Sequence, residues 1–240
     1  MKLLEVEGLD KHFGGLAAAS EVDFHVGQGE IVGLIGPNGA GKTTVFNLVS
    51  GALLPDSGVV RFKGTGITGL KPHRIVRMGI ARTFQSVKIF SKMSVFENVL
   101  LGHLFGRAKG SVISDPARGE TEEILDFVGL AGLEGVRAMD LILANQKRLE
   151  VARALATHPD LLLLDEVMAG LTPTEVARAM ELVKRIRERG VTVLMIEHVM
   201  KAIMSICDRI IVLHHGVKIA EGTPEEVVSN KTVIEIYLGE

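Results

Sequence analysis

A glycine-rich loop that follows an apolar run is the sequence feature that most constrains the fold of this chain. The loop matches the pattern G-x-x-x-x-G-K-[ST], whose fixed positions are Gly36, Gly41, Lys42 and Thr43. The apolar residues 31–35 before it read as a strand, and the residues after it read as a helix. Glycines let backbone N–H groups converge on an anion, and the helix adds the positive end of its dipole. The sequence therefore predicts a phosphate-binding loop in an α/β fold.

Two side chains of this loop are predicted to hold a nucleotide. Lys42 is expected to reach the outer phosphates, and the Thr43 hydroxyl is expected to hold Mg²⁺. The remaining residues of the predicted binding loop are Gly36, Pro37, Asn38, Gly39, Ala40, Gly41 and Thr44. The alternative is a glycine-rich turn that contains Lys-Thr by chance. It is disfavoured because both flanking segments provide the structural context that the pattern requires.

The composition indicates one large folding unit without electrostatic attraction to nucleic acid. With 240 residues, of which 47% are hydrophobic, the chain can bury a large core. Its formal net charge of −2 and its lack of like-charge blocks make nucleic acid an unexpected partner. Its apolar runs are too short to span a bilayer, so we expect a soluble chain. The single cysteine, Cys207, excludes an internal disulfide and is expected to be a small buried hydrophobe.

Two antiparallel hairpins are predicted on either side of the phosphate loop. Residues 3–6 and 22–26 alternate in polarity as half-buried strands do, and Gly14 and Gly15 form a turn between them. After the loop helix, a turn leads into a strand over residues 59–62, which closes a second hairpin.

The middle of the chain has helical character. Residues 95–101 and 120–127 show helical spacing and are separated by the glycine- and serine-containing residues 102–114. Asn145 is a candidate cap for a helix over residues 146–157. We predict a helical subdomain inserted into the α/β core.

A fully apolar run at residues 161–164 ends in two carboxylates, Asp165 and Glu166. Such a run is typical of a buried parallel strand. Paired acids at a strand end commonly begin a solvated loop. Beside a phosphate loop, however, Asp165 can hold the Mg²⁺ shell and Glu166 can orient and polarise the attacking water. We favour this second interpretation because the phosphate loop is present.

Three further residues are candidate ligands with two open interpretations each. Gln85 ends a strand predicted over residues 80–85 and is either a surface residue or a ligand, since ligands bind at the carboxyl ends of parallel strands. His198 follows a strand predicted over residues 191–196 and is either an ordinary histidine or a contact to a terminal phosphate. Phe13 is either core, which its residue type favours, or a ring that stacks on a purine.

The last third of the chain carries clear helix-start signals. A capping box at residues 172–175 predicts a helix that ends at Gly190, and residues 223–226 are predicted to cap a final helix. Residues 210–213 and 217–220 predict a hairpin between them. The histidines of this part show no metal-ligand spacing.

Taken together, these features resemble the nucleotide-binding subunit of an ATP-binding cassette (ABC) transporter over essentially the whole chain. Residues 36–44 resemble its phosphate loop and Gln85 its Q-loop glutamine. Residues 161–166 resemble its Walker B strand with the catalytic glutamate, and His198 its switch histidine. Phe13 then matches the family's adenine-stacking aromatic, which reverses the preference for core. Within the family, four segments look most like the subunit that serves branched-chain amino acid importers: residues 79–85, 94–99, 196–198 and 219–227.

The resemblance implies a fold and a set of site residues. The implied fold is an α/β P-loop NTPase (ABC ATPase) with a mixed-sheet core, an antiparallel β subdomain and an inserted helical subdomain. A single domain would cover residues 1–240, with residues 1–86 and 157–240 in the core and residues 87–156 in the helical subdomain. The implied cofactors are ATP and Mg²⁺. The implied metal-binding residues are Thr43, Gln85 and Asp165, and the implied catalytic residues are Glu166, His198 and Gln85.

The resemblance also implies partners and a location. The chain would hydrolyse ATP to drive transmembrane permease subunits for nutrient uptake, paired with a second nucleotide-binding subunit and served indirectly by a solute-binding protein. It would lie in the cytoplasm at the inner face of the cell membrane. Nucleic acid is not among the implied partners.

The chain departs from the family's pattern in the signature segment. Where the family has L-S-G-G-Q or a close variant, residues 141–145 read Leu-Ile-Leu-Ala-Asn. In the family this segment of one subunit closes over the nucleotide bound by the other. Ile142 supplies no hydroxyl, and Ala144 adds a Cβ where backbone should approach closely, so we expect weaker closure and slower hydrolysis. In addition, Val167 replaces a proline and Thr172 replaces an aspartate or asparagine.

Two other classes of function compete with the transporter subunit. A nucleotide-binding switch with impaired hydrolysis is favoured by the altered signature segment. A soluble cassette protein that acts on DNA or ribosomes is disfavoured, because such proteins usually carry two cassettes or a long coiled-coil insertion and this chain has neither.

Overall fold

The computed structural model describes residues 1–106 and 115–238. Its strands are β1 (Lys2–Phe13), β2 (Leu16–Gly27), β3 (Ile31–Ile35), β4 (Ser57–Phe62), β5 (Thr65–Gly66), β6 (Ile80–Arg82), β7 (Leu161–Asp165), β8 (Thr192–Ile196), β9 (Arg209–His214) and β10 (Val217–Gly222). Its α-helices are α1 (Lys42–Val49), α2 (Pro72–Met78), α3 (Val95–Phe105), α4 (Asp115–Val128), α5 (Leu143–Leu155), α6 (Pro173–Glu188), α7 (Met200–Ile206), α8 (Pro224–Val228) and α9 (Lys231–Leu238). A 3₁₀ turn, Ala138–Asp140, precedes α5.

A six-stranded mixed sheet in the order β10-β9-β3-β8-β7-β6 forms the centre of the molecule. Strands β9, β3, β8, β7 and β6 are parallel, and β10 pairs antiparallel with β9. Strands β3, β7 and β8 are buried at every residue, which explains why their sequences are continuous apolar runs rather than alternating ones. The carboxyl ends of β3, β7 and β8 meet at one edge of the sheet, where the phosphate loop begins and the paired acids lie.

Each face of this sheet packs against its own hydrophobic core. Alternate residues of β7 point to opposite faces, as the pleat requires. Leu162 and Leu164 join the core formed with α3 to α7, whereas Leu161 and Leu163 join the core formed with α1 and the four-stranded sheet. The sheet is thus covered on both faces, which fixes the position of its strand tips.

A second sheet is antiparallel, in the order β2-β1-β4-β5. It confirms both predicted hairpins, although β1 and β2 run to 12 residues each and are longer than predicted. Phe13 pairs with Leu16 at the turn of the first hairpin, which places its ring at the end of a strand rather than in the core.

Several element boundaries differ from the sequence expectations. Strand β6 ends at Arg82, so Gln85 lies in the loop after it rather than on a strand. Helix α5 begins at Leu143 with Ile142 as its N-cap, so the prediction that Asn145 caps a helix from residue 146 was wrong. Helix α8 carries the predicted capping box but is followed by α9, so it is not the last helix.

Other expectations are confirmed or lie outside the described residues. Helix α6 begins with a capping box formed by Thr172 and Glu175, as predicted, and ends beside Gly190. Most of the predicted separator between α3 and α4, residues 107–114, lies outside the described residues. Within residues 1–106 and 115–238, no helix has the length and apolar character needed to cross a bilayer. The division into a core and a helical subdomain stays a prediction.

Candidate active site

The phosphate loop connects β3 to α1, and its glycines are required by close backbone contacts. Gly36 has a φ of 154°, and a Cβ there would lie 2.2 Å from the Leu213 carbonyl oxygen. Gly41 caps α1 with a φ of 100°, and a Cβ there would lie 2.1 Å from the Ala18 carbonyl oxygen. Only glycine fits these two positions. The loop therefore brings its N–H groups to the N-terminus of α1 in a conformation that other residues would disrupt.

Lys42 lies folded over this loop. Its Nζ donates hydrogen bonds to the carbonyl oxygens of Gly36, at 2.7 Å, and of Pro37, at 3.0 Å. Burial lowers the pKa of Lys42, and the charges of Glu166 and Asp165 partly offset that effect. Two acids that lie more than a hundred residues away in sequence are thus close enough to act on this ammonium. The loop lysine and the strand-tip acids share one electrostatic environment.

Asp165 ends β7 in a buried ion pair that the sequence analysis missed. Arg82, at the end of the neighbouring strand β6, donates from Nη2 to Asp165 Oδ2 at 2.8 Å. The second nitrogen of Arg82 donates to Asn47 on α1, at 2.6 Å, so the pair joins the strand tip to the phosphate-loop helix. Burial raises the pKa of Asp165, while Arg82 acts in the opposite direction.

The other carboxylate oxygen of Asp165 fits a cation. Asp165 Oδ1 is buried and has no hydrogen-bond partner among the described residues. A buried carboxylate oxygen without a partner is costly, and a bound cation removes that cost. Thr43 lines the phosphate-loop cleft, and its hydroxyl offers an oxygen of the kind that Mg²⁺ prefers.

Glu166 follows β7 with a φ of 51°, a conformation that is uncommon for a residue with a side chain. Its two carboxylate oxygens contact two other loops. Gln85 Nε2 donates to Glu166 Oε2 at 3.0 Å, and His198 Nε2 lies 2.9 Å from Glu166 Oε1. Three polar residues from the loops that follow β6, β7 and β8 therefore meet, as expected for the carboxyl edge of a parallel sheet.

These groups line one cleft of about 380 Å³. The predicted site residues along its wall are Phe13, Asn38, Gly39, Ala40, Gly41, Lys42, Thr43, Thr44, Gln85, Glu166 and His198. Gly36, Pro37 and Asp165 are not among the lining residues, but they contact Lys42 or affect its charge from behind the loop. Phe13 is 49% exposed at the mouth, so the preference for core that its residue type suggested was wrong.

The loop that carries Gln85 is held by α5. Glu150, a buried residue of α5, accepts hydrogen bonds at Oε1 from the N–H groups of Phe84, at 3.3 Å, and Lys88, at 3.1 Å. Arg153, one turn further along, donates to the Lys88 carbonyl oxygen and lies over the ring of Phe90. The sequence did not predict the contact between this helix and the Gln85 loop, because helical spacing does not reveal which segment a buried charge will contact.

The loop that carries Glu166 is held from two sides. Lys147, on the same helix, donates from Nζ to the carbonyl oxygens of Glu166, at 2.8 Å, and Ala169, at 2.7 Å. Glu197, at the tip of β8, accepts at Oε1 from the Met168 N–H at 2.7 Å. Burial raises the pKa of Glu197 to about 7. One helix thus contacts both loops that converge on the cleft.

Comparison with known proteins decides the family. The ABC transporter family model matches residues 19–169. The chain is 43% identical to the branched-chain amino acid transport ATP-binding protein BraF of Pseudomonas aeruginosa, over 99% of this chain and 98% of the relative. This chain belongs to the ABC transporter family. A second family model, described as a branched-chain amino acid ATP-binding cassette transporter, matches residues 217–240 of this ABC cassette.

Further relatives and solved structures agree with this family and with the predicted fold. LivG of Escherichia coli strain K12 is 41% identical over 99% of the cassette and 98% of its own length. A nucleotide-free ATP-binding cassette from an ABC transporter has a TM-score of 0.91 and 32% identity, with both chains fully covered. A dimeric cassette bound to ADP and Pi has a TM-score of 0.83 and 25% identity, over 92% of this chain and 98% of that one. The predicted ABC ATPase fold is confirmed.

The altered signature segment lies at the N-terminus of α5. Ile142 is 65% exposed and caps the helix without a side-chain hydrogen bond, and Leu143 is also exposed. Ala144 is buried instead, so its Cβ faces the protein interior. The expectation that the Ala144 Cβ occupies space where backbone should approach closely stays a prediction, and the exposed bulk at this helix start comes from Ile142 and Leu143. The helix N-terminus itself is retained.

Proposed function

We propose that this cassette is the ATP-hydrolysing subunit of an importer for branched-chain amino acids. The observation that carries the proposal is Glu166, which lies at the wall of the phosphate-loop cleft between Gln85 and His198. The named relatives BraF and LivG and the match at residues 217–240 support the substrate class. The chain would work at the cytoplasmic face of the membrane, paired with permease subunits and, indirectly, with a solute-binding protein.

The phosphate loop performs the binding step in this proposal. Its N–H groups and the N-terminus of α1 receive the phosphate oxygens, and Lys42 exchanges its carbonyl contacts for the outer phosphates. Phe13, exposed at the mouth, offers a ring face to the adenine. Thr43, Asp165 and Gln85 would hold Mg²⁺, which supplies neutralising charge for the phosphates when bound. The partnerless Oδ1 of Asp165 supports this assignment.

Glu166 performs the chemical step by orienting and polarising a water molecule. The water oxygen forms a bond to the γ-phosphorus, the bond from that phosphorus to the bridging oxygen breaks, and ADP leaves with inorganic phosphate. Lys42 stabilises the charge that develops on the phosphoryl oxygens. Gln85 and His198 set the direction of the Glu166 carboxylate and act as sensors of the γ-phosphate.

A groove beside the Gln85 loop is the proposed permease contact. It encloses about 470 Å³ between that loop and the helices α3 and α5. Phe84, Phe90 and Phe105 line it and are all exposed, which is unusual for three large apolar rings close together. A helix of a membrane subunit that inserts apolar residues here would contact the loop that carries Gln85. The groove thus offers a direct route from membrane partner to cleft.

A second copy or a close relative would close over the cleft, as the dimeric solved cassette suggests. The alternative, a switch with impaired hydrolysis, has one observation in its favour: the exposed, apolar Ile142 at the N-terminus of α5. Restoring the family pattern with Ile142→Ser and Ala144→Gly should raise turnover. Because Ala144 is buried, Ile142→Ser alone should give most of the gain. If the reverted protein is no faster, the slow-closure hypothesis is wrong.

Two measurements test the proposal. Steady-state ATPase activity measured beside nucleotide affinity separates an enzyme from a switch, since a switch would bind ATP and barely turn over. Uptake of labelled leucine, in cells that carry matching permease subunits and lack their own cassette, tests the substrate class. Wild type should restore uptake and Glu166→Gln should not. Restored uptake of an unrelated solute, with none for leucine, would contradict the branched-chain assignment.

A further inference from the structure

Three metal-ligand side chains meet in the helical part of the molecule, away from the phosphate loop. His103 lies in the last turn of α3, Glu120 lies on α4, and His158 lies in the connection from α5 to β7. His103 Nδ1 is 3.6 Å from Glu120 Oε2, and His158 Nδ1 is 3.4 Å from Glu120 Oε1. One ligand atom from each residue lies within 4.8 Å of the other two.

These separations fit a shared metal better than direct hydrogen bonds. Hydrogen bonds from nitrogen to oxygen are usually about 2.7–3.2 Å long, so both contacts to Glu120 are longer than that range. Two ligands of one tetrahedral zinc ion lie about 3.3–3.5 Å apart, because each zinc–ligand bond is about 2.0–2.2 Å. The third pair, one nitrogen each of His103 and His158, lies within 4.8 Å, and a turn of the partly exposed His158 ring would shorten that separation.

The state of His103 suits a metal ligand. Its side chain is 5% exposed, and burial lowers its pKa. Its Nε2 is buried without a hydrogen-bond partner among the described residues. The ring therefore depends on Nδ1, which faces Glu120, for its polar contact.

We propose that His103, Glu120 and His158 form a zinc-binding site. Two imidazole nitrogens and one carboxylate are a donor set typical of Zn²⁺, whereas Mg²⁺ prefers oxygen ligands and keeps several waters. A fourth position is open to water, since Glu120 and His158 are accessible. The site is distinct from the nucleotide cleft and shares no residue with it. Bound zinc joins α3, α4 and the segment that enters β7, the strand that ends in Asp165.

The test is metal binding by the full chain without nucleotide. The protein is stripped with a chelator and then titrated with Zn²⁺, or with Co²⁺ for its visible absorption, in excess Mg²⁺ to occupy the oxygen-rich nucleotide site. We expect one zinc per chain and a zinc-dependent rise in the thermal midpoint. Glu120→Gln, a nearly isosteric change at a partly exposed side chain, should weaken zinc binding at least about tenfold and abolish the rise. His103→Gln should act in the same way.

His214→Gln is the matched control. His214 lies beside His215, with ring centroids 4.0 Å apart, and both are remote from Glu120 in sequence. This variant should bind zinc as the wild type does. The proposal is overturned if the wild type binds no zinc, if Glu120→Gln binds it equally well, or if His214→Gln is the variant that loses it. Because Glu120 is not a core residue, Glu120→Gln decides the matter even if His103→Gln fails to fold.

Discussion

The two walls of the nucleotide cleft are fixed in different ways. The phosphate loop is shaped by its own backbone, in which Gly36 and Gly41 leave no room for a Cβ. The loop at Glu166 is shaped by side chains from distant elements: Lys147 from α5 and Glu197 from the tip of β8. The first wall is specified by consecutive residues and the second by contacts across the fold. A displacement of α5 would therefore change the second wall, because Lys147 contacts it, and would leave the backbone crowding of the first wall unchanged.

Removal of the Glu166 carboxylate should produce the largest effect. In Glu166→Gln the amide keeps the size of the side chain but cannot polarise water in the same way. We expect kcat for ATP hydrolysis to fall by about 10²–10⁴-fold. Nucleotide affinity should stay within about threefold, because the phosphate loop is unchanged. Equal loss of affinity and turnover would show that the two walls do not have separate tasks.

A methyl group in the phosphate loop should produce the next largest effect. Gly41→Ala places a Cβ against the Ala18 carbonyl at a φ of 100°, so the backbone must shift. We expect ATP affinity, measured by titration calorimetry, to fall by about 100-fold. Gly39→Ala is the matched control, because its φ is 80° but its Cβ would lie in open space. If both variants bind ATP alike, backbone crowding does not shape this wall.

Glu197, on the second wall, should make the free energy of unfolding depend on pH. Its pKa in the folded chain is about 7, above the ordinary 4.5. As the pH rises from 4.5 to 7, the unfolded chain loses this proton while the folded chain keeps it, so the free energy of unfolding falls and then levels off. Glu197→Gln retains the acceptor for Met168 and should remove roughly 1–3 kcal/mol of this decline. Chemical denaturation of the wild type and of Glu197→Gln at pH 5 and pH 8 measures this decline. An equal decline in both proteins would contradict the raised pKa of Glu197.

Lys147 should have a smaller effect that is specific to turnover. Lys147→Met removes the donor for the carbonyl oxygens of Glu166 and Ala169, so Glu166 is held less firmly. We expect kcat to fall about tenfold, or roughly 1.4 kcal/mol in the barrier, with the KM for ATP unchanged. Lys147→Arg keeps a donor and should retain most activity. Lys201→Met, at an exposed lysine, is the control; a KM effect without a kcat effect would contradict a positioning role.

The sequence predicts the first wall better than the second, for a physical reason. Gly36 to Thr44 form a local motif, so their order along the chain is enough to predict their geometry. Asp165, Glu166 and His198 could be predicted as site residues because strand tips in a parallel sheet share an edge. Glu150 and Lys147 were missed, since nothing in their own helix indicates which loop a buried charge will meet. The same limit hid His103, Glu120 and His158, whose separation along the chain shows no metal spacing.

The central claim is that Lys42, Asp165 and Glu166 act on one triphosphate with its magnesium. The most direct test is the nucleotide affinity and the ATPase rate of Lys42→Ala, measured with Lys71→Ala, at an exposed lysine, as control. The account predicts that Lys42→Ala loses both affinity and turnover while Lys71→Ala keeps both. A Lys42→Ala protein that binds and hydrolyses ATP as the wild type does would contradict it.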